Sequence, residues 1–188
     1  MTAAVHASIR SQPTSYGSAL IAIHWITVIA FVVVFAAIEF RGDFPRGSAT
    51  RDFLTSTHKT GGLLILLLVL VRLVIANRNT RPPIVPAPPA WQQWLSRLVH
   101  LTLYAAMIAM PLLGWAMTSA ADRPIPFFGL SLPPILSPDK ELAHQLEEIH
   151  EFFGNALYFV IGLHAAAALF HHYVMKDNTL LRMVRPSR

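Results

Sequence analysis

The sequence predicts an all-α protein: an integral membrane four-helix bundle, both termini cytoplasmic, forming one domain over residues 1–188. Three observations predict it. Hydrophobic residues make up 54% of the chain and charged residues 13%, about half the charged share of a soluble domain. The apolar residues gather into four blocks. Each approaches the ~20 residues that a helix needs to cross a hydrocarbon core about 30 Å thick.

The first span is placed at 19–40, and no formal charge occurs between Ser11 and Ile38. It is too long for a cleavable signal peptide and lacks a convincing cleavage site. The second, 57–76, is rich in Leu, Val and Ile but contains Arg72. Near the end of the span, Arg72 is expected to snorkel to the interface. The third, 97–121, carries Pro111, which should kink it. The fourth, 150–175, holds Asn155, His164, His171 and His172 among apolar residues. Between the second and third spans lie Arg81-Pro82-Pro83 and Pro86-Ala87-Pro88-Pro89, a stiff linker. Residues 122–141 carry five more prolines, and no repeat is evident.

Charge sets the orientation. One side would hold Arg10, Arg72, Arg78, Arg81, Arg97, Lys176, Arg182, Arg185 and Arg188 against the single acid Asp177. The other would hold Arg41, Arg46, Arg51, Lys59, Arg123 and Lys140 against nine acids. The more basic side is cytoplasmic by the positive-inside rule. The net charge of +5 is thereby a topology signal, and nucleic acid is not an expected partner; membrane lipid is.

The absence of cysteine excludes disulfides, iron–sulfur clusters and thiolate ligation. Nine histidines remain as metal ligands. His150 and His164 lie on one face of a helix, about 21 Å apart along its axis. That separation suits two haems stacked across one bilayer. Each needs a second axial ligand. His58 matches the depth of His150, and His24 that of His164. His100 is a rival to His24; spacing favours His24 and leaves both open. Two imidazoles per iron favour electron transfer over oxygen binding. Any one of these histidines alone could equally be a core residue bonded to a carbonyl, but their matched depths point to haem. His171 shares the face of His164 and suits a propionate or a small redox partner. Gly61, Gly62, Gly154 and Gly162 would let a porphyrin or a helix approach.

Larger motifs carry a resemblance. Phe159-Val160-Ile161-Gly162-Leu163-His164, running on to His171-His172-Tyr173, and Lys176-Asp177-Asn178-Thr179-Leu180-Leu181-Arg182-Met183 resemble the bacterial cytochrome b561 family. So do Ile23-His24-Trp25, Glu39-Phe40-Arg41-Gly42 with Phe44-Pro45-Arg46, and His58 with Gly61. The likeness covers essentially the whole chain and is greatest to the superoxide oxidase branch. It implies two haem b groups with His24, His58, His150 and His164 as iron ligands. It also implies ubiquinone as substrate at the cytoplasmic end and superoxide oxidation at the periplasmic end of a bacterial inner membrane protein. His171 and Lys176 are then expected near the quinone. The proline-rich loop around 121–145 departs from the family pattern.

Three functions compete. One is a superoxide:ubiquinone oxidoreductase. Its anionic substrate would approach along Lys59 and Arg46, with Glu147, Glu148 and Glu151 away from the entrance. The second is a haem b subunit linking a partner dehydrogenase or hydrogenase, a redox partner protein, to quinone. A large apolar patch outside the bilayer would favour it, and the short loops are not expected to carry one. The third is a non-redox protein whose histidines bind a metal ion or protons.

Overall fold

A computed structural model describes residues 14–185; His6, Arg10 and Arg188 lie outside them. The four apolar blocks form four long helices: α1 (Ser18–Phe40), α2 (Ala49–Asn77), α3 (Ala90–Ala120) and α4 (Lys140–Phe170). All four are long and apolar enough to cross a membrane. Their outward faces are apolar too, with Ile29, Val32 and Phe159 largely exposed. That surface suits lipid, which solvates it without a hydrophobic penalty. Trp91 and Trp94, also exposed, open α3 where an aromatic belt belongs.

Three helices start earlier than the apolar blocks do, because local capping rather than hydropathy sets their first turn. The Ser48 hydroxyl accepts from the Arg51 amide at 3.3 Å and starts α2 at Ala49. Asp139 accepts from the amides of Glu141 and Leu142 and starts α4 at Lys140. Pro89 precedes α3. Pro111 lies inside α3, which runs on as one element from Ala90 to Ala120.

The helices pack in sequence, α1 on α2, α2 on α3 and α3 on α4. Val34, Ile65, Val69 and Met107 form the buried cluster joining the first three. Gly61 is needed there: a Cβ on it would meet Val34 Cγ2 at 2.5 Å. Packing therefore accounts for Gly61.

The two ends of the bundle are finished differently. At one, the proline-rich loop forms a small ribbon, β1 (Pro126–Phe127) paired antiparallel with β2 (Leu130–Ser131). Its two-residue turn has Phe128 and Gly129 both at positive φ, the geometry that matches strand twist. Thr60 Oγ1 donates to the Pro126 carbonyl at 3.0 Å and pins the ribbon to α2. Phe128 and Leu130 are exposed, so this loop carries more apolar surface than expected.

At the other end, α4 closes in a π-helical turn, His171–Met175. Residues 176–185 then fold back as a strap. Asn178 exchanges two hydrogen bonds with the Val85 backbone, Arg182 donates to the Pro82 carbonyl, and Trp25 Nε1 donates to the Met183 carbonyl at 2.9 Å.

Candidate functional site

Four histidines from three helices meet as two pairs. Near the ribbon, the rings of His58 (α2) and His150 (α4) lie 6.1 Å apart at 76°. Near the strap, His24 (α1) and His164 (α4) lie 6.4 Å apart at 77°. Two imidazoles on opposite sides of one metal, with bonds of about 2.0 Å and nitrogens about 1.1 Å from the ring centres, would have centroids about 6.2 Å apart. Both pairs match that spacing. Among the described residues no cluster of three or more His, Asp or Glu could hold a bare metal ion. Two ligands per site suit a metal whose remaining positions are filled by a macrocycle.

The ribbon-end pair faces a cavity of about 410 Å³. Gly62, Gly114 and Gly154 are in its wall. Gly114, which sequence analysis did not single out, lies against the ring: a Cβ there would meet His150 Cε1 at 3.2 Å. Its spacing from His150 carried no signal, since the two belong to different helices. Nothing lies within 4 Å of the Cβ positions of Gly62 and Gly162. His58 Nδ1 donates to the Val34 carbonyl at 3.0 Å, which leaves Nε2 with a free lone pair, the metal-binding form. His150 Nδ1 is buried and has no hydrogen-bond partner.

The strap-end pair is built differently. Arg72 does not run to the interface as expected. Its Nη1 donates to His24 Nδ1 at 2.8 Å and its Nε to Tyr104 Oη at 3.0 Å. No carboxylate pairs with it among the described residues. A cation in a span gains more from two inward acceptors than from a stretched path to water.

His100 is also present, 5.2 Å from His164, and its Nδ1 donates to the Ser96 carbonyl at 2.6 Å. Its tautomer suits a metal better than that of His24, whose Nδ1 accepts from a guanidinium. Its distance suits a coaxial pair worse. The metal-binding tautomer of His24 needs its proton on Nδ1, which releases the bond from Arg72, whereas spacing changes only by moving helices, so the geometry favours His24.

Around the ribbon-end cavity stand Arg41, Lys59 and Arg123, together with Glu39, Glu147 and Glu151. Lys59 Nζ donates to the Pro124 carbonyl at 3.2 Å. Arg46 is exposed on the preceding loop and does not line the cavity. Glu147 and Glu151 do line it, against the expectation that they stand away from the entrance. Arg123 was missed because it lies 64 residues from Lys59 in a loop whose path hydropathy does not reveal.

At the strap end, His171 Nδ1 donates to Asp177 Oδ2 at 2.5 Å, and Lys176 is exposed in a left-handed conformation at φ 55°. Burial of Asp177 opposes its ionisation, but hydrogen bonds from His171 and Thr179 outweigh it and hold the carboxyl below its ordinary range.

Comparison with known proteins agrees with this architecture. The family model for prokaryotic cytochrome b561 matches residues 15–186. The chain is 43% identical over 162 residues to cytochrome b561 homolog 1 of Escherichia coli K12, covering 86% of this chain and 92% of that one. It is 38% identical over 173 residues to a Yersinia pestis protein named "Probable superoxide oxidase CybB", covering 92% and 97% respectively. It is 25% identical over 181 residues to cytochrome b561 homolog 2 of E. coli K12, covering 96% of each.

Proposed function

The chain belongs to the prokaryotic cytochrome b561 family, multi-pass bacterial membrane proteins of haem b electron transfer, and from that premise we propose that it is a superoxide:ubiquinone oxidoreductase of the inner membrane. It would hold two haem b groups, take electrons from superoxide on the periplasmic side and deliver them to ubiquinone on the cytoplasmic side. The observation that carries this reading is the presence of two histidine pairs, at 6.1 Å and 6.4 Å, at opposite ends of one bundle.

The residues fit haem b. Both ring spacings match a bis-imidazole iron, His150 Nδ1 is an orphaned buried nitrogen, and glycines flank the ribbon-end cavity. His58 and His150 would hold the outer group, His24 and His164 the inner one. Haem b, when bound, supplies reversible one-electron chemistry at iron. In this reading the ribbon end is periplasmic and the strap end cytoplasmic, the orientation that the distribution of basic residues supports.

The chain's own part is to bind, orient and exclude. Val34 fixes the ring of His58, and Arg72 puts a fixed cation beside His24. Lys59 at the cavity and Arg46 on the loop outside favour an approaching anion. The glutamates in the wall limit that field to short range. His171 and Lys176, at the strap end of α4, would donate hydrogen bonds to a quinone carbonyl approaching from the cytoplasmic side. The name of the Yersinia relative supports superoxide as the donor.

The test uses purified protein in vesicles. Superoxide generated outside should reduce its haems without any partner protein, and added ubiquinone should reoxidise them. Haems that respond only after a dehydrogenase or hydrogenase is added would replace this reading with that of an electron-transfer subunit.

A further inference from the structure

Asp177 is placed by the way α4 ends. After the π-helical turn, Lys176 turns left-handed at φ 55° and ψ 32°, a conformation uncommon for a residue with a side chain. The Asp177 amide then donates back to the His171 carbonyl at 3.1 Å, so the chain folds over the turn it has just left. This lays the Asp177 carboxylate on the His171 ring. Oδ2 accepts from His171 Nδ1 at 2.5 Å, and Oδ1 accepts from the Thr179 amide at 2.8 Å. The Asp177 side chain is 2% exposed and that of His171 17%. A buried carboxylate that engages one ring nitrogen fixes the tautomer and the orientation of the ring.

We propose that Asp177 is a positioning residue for proton delivery to ubiquinone, holding His171 so that its free Nε2–H is the proton donor. The proposal rests on the reading of His171 as the neighbour of the quinone. Reduction of the quinone consumes two electrons and two protons, Q + 2e⁻ + 2H⁺ → QH₂. The electrons are those yielded by two superoxide ions as they become oxygen. In each proton step the Nε2–H bond breaks and a quinone O–H bond forms. His171 is left neutral, with its remaining proton still on Nδ1 against Asp177. Cytoplasmic water then returns a proton to Nε2.

An aspartate suits this task and an asparagine does not. Each carboxylate oxygen faces a donor, the Thr179 amide or the His171 ring. An amide has one oxygen only, so its NH₂ group would meet one of those donors.

The experiment follows reoxidation of pre-reduced haem by ubiquinone in the full holoprotein, in H₂O and D₂O. Asp177→Asn should lower the maximal rate about tenfold or more, enlarge the solvent isotope effect and leave KM and haem content close to wild type. Asp177→Glu should restore part of the rate. An Asp177→Asn protein with the wild-type rate and isotope effect overturns the proposal. Should that variant lose haem, the wild-type isotope effect decides, since its absence at saturating quinone overturns the proposal as well. His171→Gln separates the two levels. Unchanged reoxidation in that variant removes His171 from the quinone site. Slow reoxidation there with normal kinetics in Asp177→Asn overturns the role of Asp177 alone.

Discussion

The two histidine pairs are nearly identical as geometry and opposite as electrostatics. Ring separations differ by 0.3 Å and interplanar angles by 1°. Yet His58 faces a neutral backbone carbonyl and His24 a guanidinium. Position and electronic character are therefore set by different parts of the chain. Helix packing fixes the first, and one group beyond each ring, a backbone carbonyl at His58 and a side chain at His24, fixes the second. A carbonyl that accepts from an imidazole makes the ring a stronger electron donor. A fixed cation in a weakly polar medium favours an added electron nearby. With haem held at both pairs, as proposed, the difference between the ends would bias electrons from the ribbon end to the strap end.

The largest expected effect breaks the comparison outright. Replacing His58 or His150 by Ala should remove the outer haem, and replacing His24 or His164 the inner one. Each variant would retain about half the haem, because an iron held by one axial histidine is weakly retained. Haem quantified against protein is the check. Both haems surviving His24→Ala, with one lost in His100→Ala, would give the inner site to His100.

Next comes Arg72→Gln. Loss of this cation should lower the potential of the inner haem by an amount on the order of 1–2 kcal/mol and leave the outer haem unmoved. Spectroelectrochemical titration resolves the two. Equal shifts in both haems would mean that Arg72 acts on the bundle rather than on His24.

A smaller effect sharpens the outer side. Neutralising Lys59 together with Arg46 should slow haem reduction by superoxide a few-fold at low salt, and rising salt should slow the wild type. With three acids in the cavity wall, the effect is expected to be modest. Stopped-flow rates independent of salt and of both charges would show plain diffusion or another donor.

The smallest concerns acid. The depressed Asp177 carboxyl contributes stability to the strap that is present above its unfolded value. That stability is lost as pH falls through its lower folded value. The ribbon end is pinned by Lys59 and Thr60 to backbone carbonyls and lacks this dependence. Amide exchange at acid pH should rise at 176–180 before it rises at 124–132; the reverse order would refute it.

The sequence by itself determined the four helices, because a bilayer demands long uncharged stretches and these are countable in one dimension. It also placed four histidines at matched depths, since helical rise and turn are fixed by the backbone. It did not reach the helix starts at Ala49 and Lys140, which capping side chains decide. Nor did it reach the ribbon, whose short strands carry too little periodicity to read.

Only the tertiary structure decided what stands behind each ring. Arg72 read as a snorkelling residue because its depth was known and its direction was not. Gly114 and Arg123 gave no signal, because each acts on a partner from another element. Depth along a helix is a local property of the chain. The side of the helix that meets a given neighbour depends on how all four helices pack together.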